Sequence, residues 1–233
     1  VCAGLWMSEI IPLPVTALLV PVFAYFFKIL SPVAAMAPFS NTIIFLFMGG
    51  FTLAALLNKH GIDLWLAERV IKFSRGSLWL SVIGFYAITS LLSMFISNTA
   101  TTAMMVPIAV SLIDKKFPRM RTMLVLGTAY AANIGGNGTV VGSPPNAIAA
   151  AALNLTFFDW LKIGFPTTML MFPFVIIALR FVIKPENNAY VNRINTNAFR
   201  WTLQAKGAIT LFSFTVLCWI FSSQISAYIG LKK

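Results

Sequence analysis

The stretch LWLSVIGFYAITSLLSMFISNTATTAMMVPIAVSLI, residues 78–113, decides how this chain is built. As one straight helix rising about 1.5 Å per residue it would reach roughly 54 Å, far beyond a hydrocarbon core of about 30 Å. The run therefore has to turn back on itself, and its polar interruption, Ser97-Asn98-Thr99, is where the turn falls. That triplet carries hydroxyls and an amide but no charge, glycine or proline. Ser93 stands one helical turn before it, and Thr101 and Thr102 follow. The pattern predicts a re-entrant helical hairpin with a polar tip at membrane depth. Irregular backbone is tolerated there only where protein buries it or it lines a cavity, so the tip is a candidate binding site. Two short spanning helices joined by a Ser/Asn/Thr cap would give the same pattern.

The composition is that of an integral, all-α polytopic membrane protein. The chain of 233 residues is 59% hydrophobic and 10% charged, with a mean hydropathy of +0.86, whereas soluble domains carry about 25% charged residues. The net charge of +11 does not indicate nucleic acid, because Lys and Arg are confined to short segments between apolar spans and are not interleaved with stacking aromatics. Basic residues gather in 59–75, 115–121 and 184–206, while 31–41 and 154–161 have none. The positive-inside rule places the three basic segments in the cytoplasm. Cys2 and Cys218 lie in or beside apolar segments and His60 stands alone, so neither a disulfide nor a metal spacing is expected. With no nucleophile-base pair, metal cluster or phosphate loop, an enzyme is not expected either. The start at Val1 and the end at Lys232-Lys233, just after an apolar segment, read as those of a fragment.

Along the chain, Leu5 to Glu9 reads as the interfacial end of a helix, Ile10 to Leu30 as a span, and Ile43 to Leu57 as the return span, with Gly49-Gly50 allowing close helix approach. A second triplet, Ser40-Asn41-Thr42, directly precedes that apolar helix and is expected to cap it. Asn58 to Gly61 forms a turn into an amphipathic surface helix, Ile62 to Phe73. Its apolar face is Ile62, Leu66, Val70 and Phe73, and Asp63, Glu68, Arg69 and Lys72 lie mostly opposite. Met123 to Ile134 is too short to span, and it runs into the glycine- and proline-rich segment 135–146 before Ala147 to Leu153 resumes a helical composition. This predicts one span broken in the middle, with Ser143 as N-cap and Pro144 at the first helical position. Phe157 to Lys162 reads as an interfacial patch, Phe165 to Ile183 as a span with a kink at Pro173, 184–206 as an extramembrane linker, and Gly207 to Phe221 as the start of another span.

Two interrupted helices in one membrane domain point to a transporter site. Each break exposes a helix N-terminus, whose partial positive charge is worth about 0.3–1 kcal/mol per anion contact. The preceding arm leaves unpaired carbonyls, which together with Ser and Asn oxygens suit Na+. No Lys or Arg lies near either break. A multiply charged anion would bind poorly on dipoles and hydroxyls alone, and a sodium ion beside it would supply the missing positive charge.

Trp6-Met7-Ser8-Glu9-Ile10-Ile11-Pro12-Leu13-Pro14-Val15-Thr16, the tip Ser97-Asn98-Thr99-Ala100-Thr101, and Ile134-Gly135-Gly136 with Gly142-Ser143-Pro144-Pro145-Asn146 occur in this order. In these motifs the chain closely resembles the divalent anion:sodium symporter family, the INDY-type carriers, and within it the bacterial sodium-coupled dicarboxylate members. The resemblance implies the first inverted repeat of an elevator-type transporter, embedded as a multi-pass protein in the cell's inner (plasma) membrane and working as a homodimer joined through its scaffold. It implies scaffold spans plus the interfacial helix in 1–75, a transport domain in 76–183, and a cytoplasmic linker with the start of a second scaffold part in 184–233. It further implies sodium held by Ser93, Ser97, Asn98 and Gly142, and a substrate carboxylate met by Asn98, Thr99, Ser143 and Pro144. The substrate would be a dicarboxylate such as succinate, malate or fumarate. Sulfate or a tricarboxylate, or a membrane subunit that does not transport, are the other readings. The family's second repeat, with its own Ser-Asn-Thr and a second sodium site, is missing after Gly207, so this is an N-terminal half.

The two triplets make opposite predictions. Asn98→Ala and Thr99→Ala are expected to abolish sodium-dependent uptake of labelled succinate into proteoliposomes, while Asn41→Ala leaves it largely intact. Equal damage from both would mean that the wrong triplet has been assigned to the site.

Overall fold

Hydrocarbon leaves backbone N–H and C=O groups no partner outside the chain, so a segment that is not part of a closed barrel has only the helix as a way across. In the computed structural model, which describes residues 1–74, 76–192, 199 and 201–230, every element named below is helical. By length and composition three of the described helical stretches can cross a membrane, Pro32–Lys59, Phe157–Ile183 and Leu203–Ile220, and Leu13–Phe26 and Leu78–Ser93 are shorter apolar helices. The chain divides into two compact units, Val1–Leu46 and Phe47–Lys233.

The first unit holds α1 (Cys2–Ser8), α2 (Leu13–Phe26), α3 (Pro32–Met36), a 3-10 turn at Ala37–Ser40 and the first residues of α4 (Thr42–Lys59). The span expected at Ile10 to Leu30 is shortened at both ends. Pro14 sits in the first turn, where its missing N–H costs nothing. At the other end Lys28 takes a left-handed φ of 55°, and the N–H groups of Ile29 and Leu30 both turn back to the Ala24 carbonyl. Asn41, in extended conformation, stands at the position before α4 expected of a cap, and Ile44 N–H donates to its carbonyl at 3.0 Å.

The second unit comprises the rest of α4, then α5 (Ile62–Phe73), α6 (Leu78–Ser93), α7 (Asn98–Leu112), α8 (Pro118–Gly136), α9 (Pro144–Ala152), α10 (Phe157–Ile183), α11 (Leu203–Ile220) and α12 (Ser222–Ile229). Helix α8 is its axis and packs on both hairpin arms, α6 and α7, and on α10. Phe85 and Tyr86 from α6, Met105 from α7 and Met120 and Leu124 from α8 are fully buried around it. Of the two glycines expected to allow close approach, only Gly50 does so: a methyl group there would run into the Val141 side chain, with Trp219 of α11 in ordinary contact, whereas one at Gly49 would meet nothing within 4 Å.

Several expectations are corrected by partners distant in sequence. The triplet Ser97-Asn98-Thr99 does not form the turn of the hairpin. The turn is at Met94 to Ile96; Ser97 is the N-cap of α7, its Oγ accepting from Ala100 N–H at 3.3 Å, and Asn98 and Thr99 are the first helical residues. Helix α5 has the expected ends but turns a different face inward. Asp63 and Glu68 are buried with Ile62 and Ala67, while Phe73 is 79% exposed. Asp63 is satisfied there by Asn58 Nδ2 at 2.9 Å and by the Leu64 N–H at 2.9 Å. Burial raises its carboxyl pKa above the ordinary value, and those two donors partly offset the rise. The patch at Phe157 to Lys162 and the span after it are one helix of 27 residues that continues through Pro166 and Pro173. It is opened by a reciprocal capping box in which Thr156 Oγ1 accepts from Asp159 N–H and the Asp159 carboxylate accepts from Thr156 N–H.

The first half of the broken span starts earlier than expected, at Pro118 rather than Met123, because a residue far along the chain caps it. The Glu186 carboxylate accepts from Arg119 N–H at 3.1 Å and from Met120 N–H at 2.8 Å, the donors left free at a helix start. The neighbouring residues fasten the same strap: Val191 pairs antiparallel with Ile113, Asn192 N–H donates to the Leu112 carbonyl at 2.8 Å, and Lys116 lies 4.5 Å over the Tyr190 ring. The remainder of the expected linker, 193–198 and 200, lies outside the described residues, as does Arg75 at the expected boundary of the scaffold segment.

Partial burial works against ionisation of Glu186, but the N–H groups of Met120 and Arg119 outweigh it and hold its carboxyl below the ordinary value of 4.5. A carboxyl lowered in the folded state adds stability above its unfolded pKa and loses it as the pH falls through the folded value. Glu186→Gln should therefore lower the melting temperature of the detergent-solubilised protein at pH ~7, and the gap to wild type should close below about pH 4. A pH-independent gap in circular dichroism melts would show that the charge of Glu186 contributes nothing.

Candidate functional site

The site is built by the crossing of α6 on α8. Small residues and hydroxyls on the facing stripes let two helices approach closely without strong apolar driving force. On α8 the stripe is Met123, Gly127, Ala131 and Gly135, four residues apart. Tyr86 lies on Gly127 and donates its hydroxyl to the Met123 carbonyl at 2.7 Å, and Ser90 Oγ donates to the Ala131 carbonyl at 2.8 Å. At Gly135 backbone meets backbone: a methyl group there would stand 2.6 Å from the Ser90 carbonyl carbon. This contact lies one residue before the end of α8 and carries the end of α6, with Ser93, up to the break.

At the break the two interrupted elements meet. Ser93 Oγ donates to Asn98 Oδ1 at 2.8 Å. The Asn98 amide in turn rests on Gly136, where a methyl group would come within 2.9 Å of its Cγ and Nδ2. A methyl group at Gly142 would stand 2.9 Å from the Gly136 Cα and carbonyl carbon. Asn98 and Gly142 thus both pack on Gly136, and this is the physical reason for two consecutive glycines at the end of α8. Thr139 ties the loop to the hairpin turn by donating its hydroxyl to the Met94 carbonyl, and it accepts from Gly142 N–H at 3.1 Å.

The expectation that the arm before the break leaves its carbonyls unpaired is not met. The Ile134 carbonyl accepts from Asn137 N–H and from Thr168 Oγ1, Gly135 from Gly138 N–H, Gly136 from Asn146 Nδ2, and Asn137 from Trp160 Nε1. The second Nδ2 hydrogen of Asn146 goes to the Thr139 carbonyl at 2.8 Å. Donors from α9 and α10 remove the cost of unpaired carbonyls in hydrocarbon. The oxygens left for a cation are therefore chiefly those of side chains, together with backbone beyond Thr139.

The N-terminus of α9 is also poorer in donors than expected. Ser143 is its N-cap but makes no side-chain cap bond, Pro144 and Pro145 have no N–H, and Asn146 N–H already donates to the Ser143 carbonyl at 3.2 Å. That end offers the helix dipole and a spare hydroxyl in place of a row of N–H groups. Exposure grades the seven expected site positions. Ser93 and Gly142 are buried, Ser97, Asn98 and Ser143 are half-buried, and Thr99 and Pro144 are exposed. The two most buried, Ser93 and Gly142, are cation candidates and the two most exposed, Thr99 and Pro144, are carboxylate candidates, with Ser97, Asn98 and Ser143 between them.

One further residue emerges only from the structure. Thr101 is 0% exposed, and its Oγ1 is one of two buried side-chain atoms without a hydrogen-bond partner among the described residues, the other being that of Thr16. It sits one turn after Ser97, whose carbonyl its own N–H bonds at 2.9 Å. A helical Thr ordinarily satisfies its hydroxyl on a carbonyl of the preceding turn. In the sequence the only hint was its place just after the triplet. Beside the turn, a cavity of about 490 Å3 reaches Ser97 and Ala100, with Asn58 and Ala54 of α4 on its other wall.

The comparisons with known proteins agree with a carrier. A family model described as citrate transporter matches residues 3–232. An uncharacterized transporter of Haemophilus influenzae is 40% identical over 239 residues, covering 99% of this chain and 52% of that protein. Sodium-dependent dicarboxylate transporters of Staphylococcus saprophyticus and Staphylococcus aureus are 33% identical over 76% of the chain and 29% identical over 92% of it, covering 38% and 46% of their own lengths. The chain spans about half the length of the curated relatives it matches.

The backbone contact makes a direct prediction. Gly135→Ala should cost about 1–3 kcal/mol through displacement of the Ser90 backbone. Gly49→Ala should leave stability unchanged or raise it by up to about 1 kcal/mol. Chemical unfolding of both variants in mild detergent measures the difference, and equal values would contradict the close crossing.

Proposed function

This chain belongs to the citrate transporter family, and from that premise we propose that it forms one sodium- and carboxylate-binding half of a carrier that moves dicarboxylates across the cell's inner membrane together with sodium. The observation that carries this reading is the pair of uncharged oxygens on Ser93 and Asn98 at the place where the hairpin turn and the α8–α9 break meet, with the buried, unpartnered Thr101 hydroxyl one helical turn further along α7. Sodium is cargo here. Ser93 Oγ and Asn98 Oδ1, already 2.8 Å apart, turn their lone pairs onto it, Thr101 Oγ1 gains the partner it lacks, and backbone at Ser97 and Gly142 completes the shell. The substrate carboxylate lies outward of the ion, on Asn98, Thr99 and Ser143, against Pro144, at the N-termini of α7 and α9. With no Lys or Arg from Thr122 to Leu161 or from Gly76 to Asp114, sodium is the countercharge that makes an anion tolerable there. The ion therefore binds first and the anion second.

In this reading residues 76–183 belong to a transport domain that slides as a body in an elevator movement. Residues 1–75 and those from 184 onward belong to the scaffold and linker through which two copies pair. A second repeat outside these residues supplies the other half of the site, as the coverage of only about half of the relatives supports. The family's description favours a second reading, a tricarboxylate as substrate, whereas the sodium-dependent relatives are described for dicarboxylates.

Reconstituted protein under an inward sodium gradient should accumulate labelled succinate, with malate and fumarate competing better than citrate or sulfate. Accumulation that persists in choline would remove sodium from the mechanism, and preferred competition by citrate would select the tricarboxylate reading. Thr101→Val, nearly the same in volume, should raise the sodium concentration for half-maximal uptake about tenfold or more, the worth of one contact to a charged group at about 1.5 kcal/mol. An unchanged sodium dependence would take Thr101 out of the ion's shell.

A further inference from the structure

A groove of about 740 Å3 runs between α5 and α6, away from the break. Its floor is Gly84, Ala87, Ile88 and Leu91, which recur at i, i+3, i+4 and i+7 and so form one continuous apolar stripe along α6. At the helical rise that stripe is about 10 Å long. Two of the four residues are small, which is why the stripe is hollow. The rim belongs to α5. Arg69 and Lys72, three residues apart, share a face, and Phe73, 79% exposed, stands beside them. The Arg69 guanidinium lies 5.4 Å over the Trp65 ring, and Lys72 reaches Glu68 while its side chain stays 66% exposed.

A trough of hydrocarbon character that ends under two cations, on a helix with the composition of a membrane-surface element, fits a ligand that is itself apolar with an anionic head. A soluble anion would leave the stripe uncovered, and a zwitterionic lipid would bring a cation up to Arg69 and Lys72. We propose that this groove binds a phospholipid with an anionic headgroup, its phosphate between Arg69 and Lys72 and one acyl chain along Gly84 to Leu91. The chain of such a lipid ends two residues before Ser93, so it braces the arm that leads to the break. This inference rests on residence in a membrane and is independent of what the protein carries.

Native mass spectrometry of the purified protein, titrated with dioleoylphosphatidylglycerol or dioleoylphosphatidylcholine, tests it. Wild type should retain the anionic lipid about tenfold more tightly, and Arg69→Gln with Lys72→Gln should lose that preference. Ala87→Trp, at an exposed position that fills the trough, should retain less of either lipid. Arg69→Lys with Lys72→Arg keeps the charge and should behave as wild type, which separates loss of the site from loss of the fold. Equal retention of the two lipids by wild type, or full retention by the Arg69→Gln, Lys72→Gln protein, overturns the proposal. So does capture of a polypeptide instead of a lipid by a photoreactive side chain placed at Leu91.

Discussion

Everything at the centre of this molecule depends on pairing the carbonyls at the end of α8, which are buried inside the protein away from water. A helix that stops in a buried interior leaves its last C=O groups unpaired at a cost of several kcal/mol each unless a partner is supplied. Asn146, Trp160 and Thr168, from the two helices that follow, each bring a donor to that end. The interruption is therefore a cross-braced structure with its own hydrogen-bond network, joined to the hairpin turn through Thr139 and Met94. Its glycines follow from the same demand. Gly135, Gly136 and Gly142 leave room for backbone and amide groups that any side chain would displace.

Because the network satisfies the carbonyls, little of the break remains free for a ligand, and what remains is chemically narrow. Side-chain oxygens lie inward, and the dipoles of α7 and α9 with a few hydroxyls lie outward. Neither set binds a dianion well alone in a region without basic residues. In the reading proposed above, a monovalent cation completes them as a neutralising stack, in which the anion gains the ion's charge at close range and a low dielectric strengthens the attraction. On that proposal, coupling of the two solutes follows from electrostatics and does not require a dedicated mechanical link.

Charged residues near helix ends do structural work there. Glu186 caps α8 from a strap that also pairs with the end of α7, Arg180 stacks 4.2 Å over Trp79 of α6, and Asp63 closes the turn into α5. These contacts join the ends of α6, α7, α8 and α10, so the hairpin and the broken helix are held at their outer ends as well as at the break. A body tied at both levels is braced as one unit.

Much of this was legible in the chain, because it depends on neighbours a few residues apart. The length of the run 78–113 against the thickness of a bilayer forced a hairpin, the glycines and prolines of 135–146 forced a break, and Ser143 stands at the helix start where short-range capping rules put it. The ends of α5 were legible for the same reason. What the chain could not disclose depends on partners far away along it. The first turn of α8 exists because Glu186 caps it from 66 residues on. Asp63 faces inward because Asn58 and the Leu64 N–H receive it, and the carbonyls of the break are occupied by donors 7 to 34 residues away. Periodicity and propensity describe how a segment folds on itself. Only the packed structure decides which polar groups are already satisfied, and so which remain to bind something else.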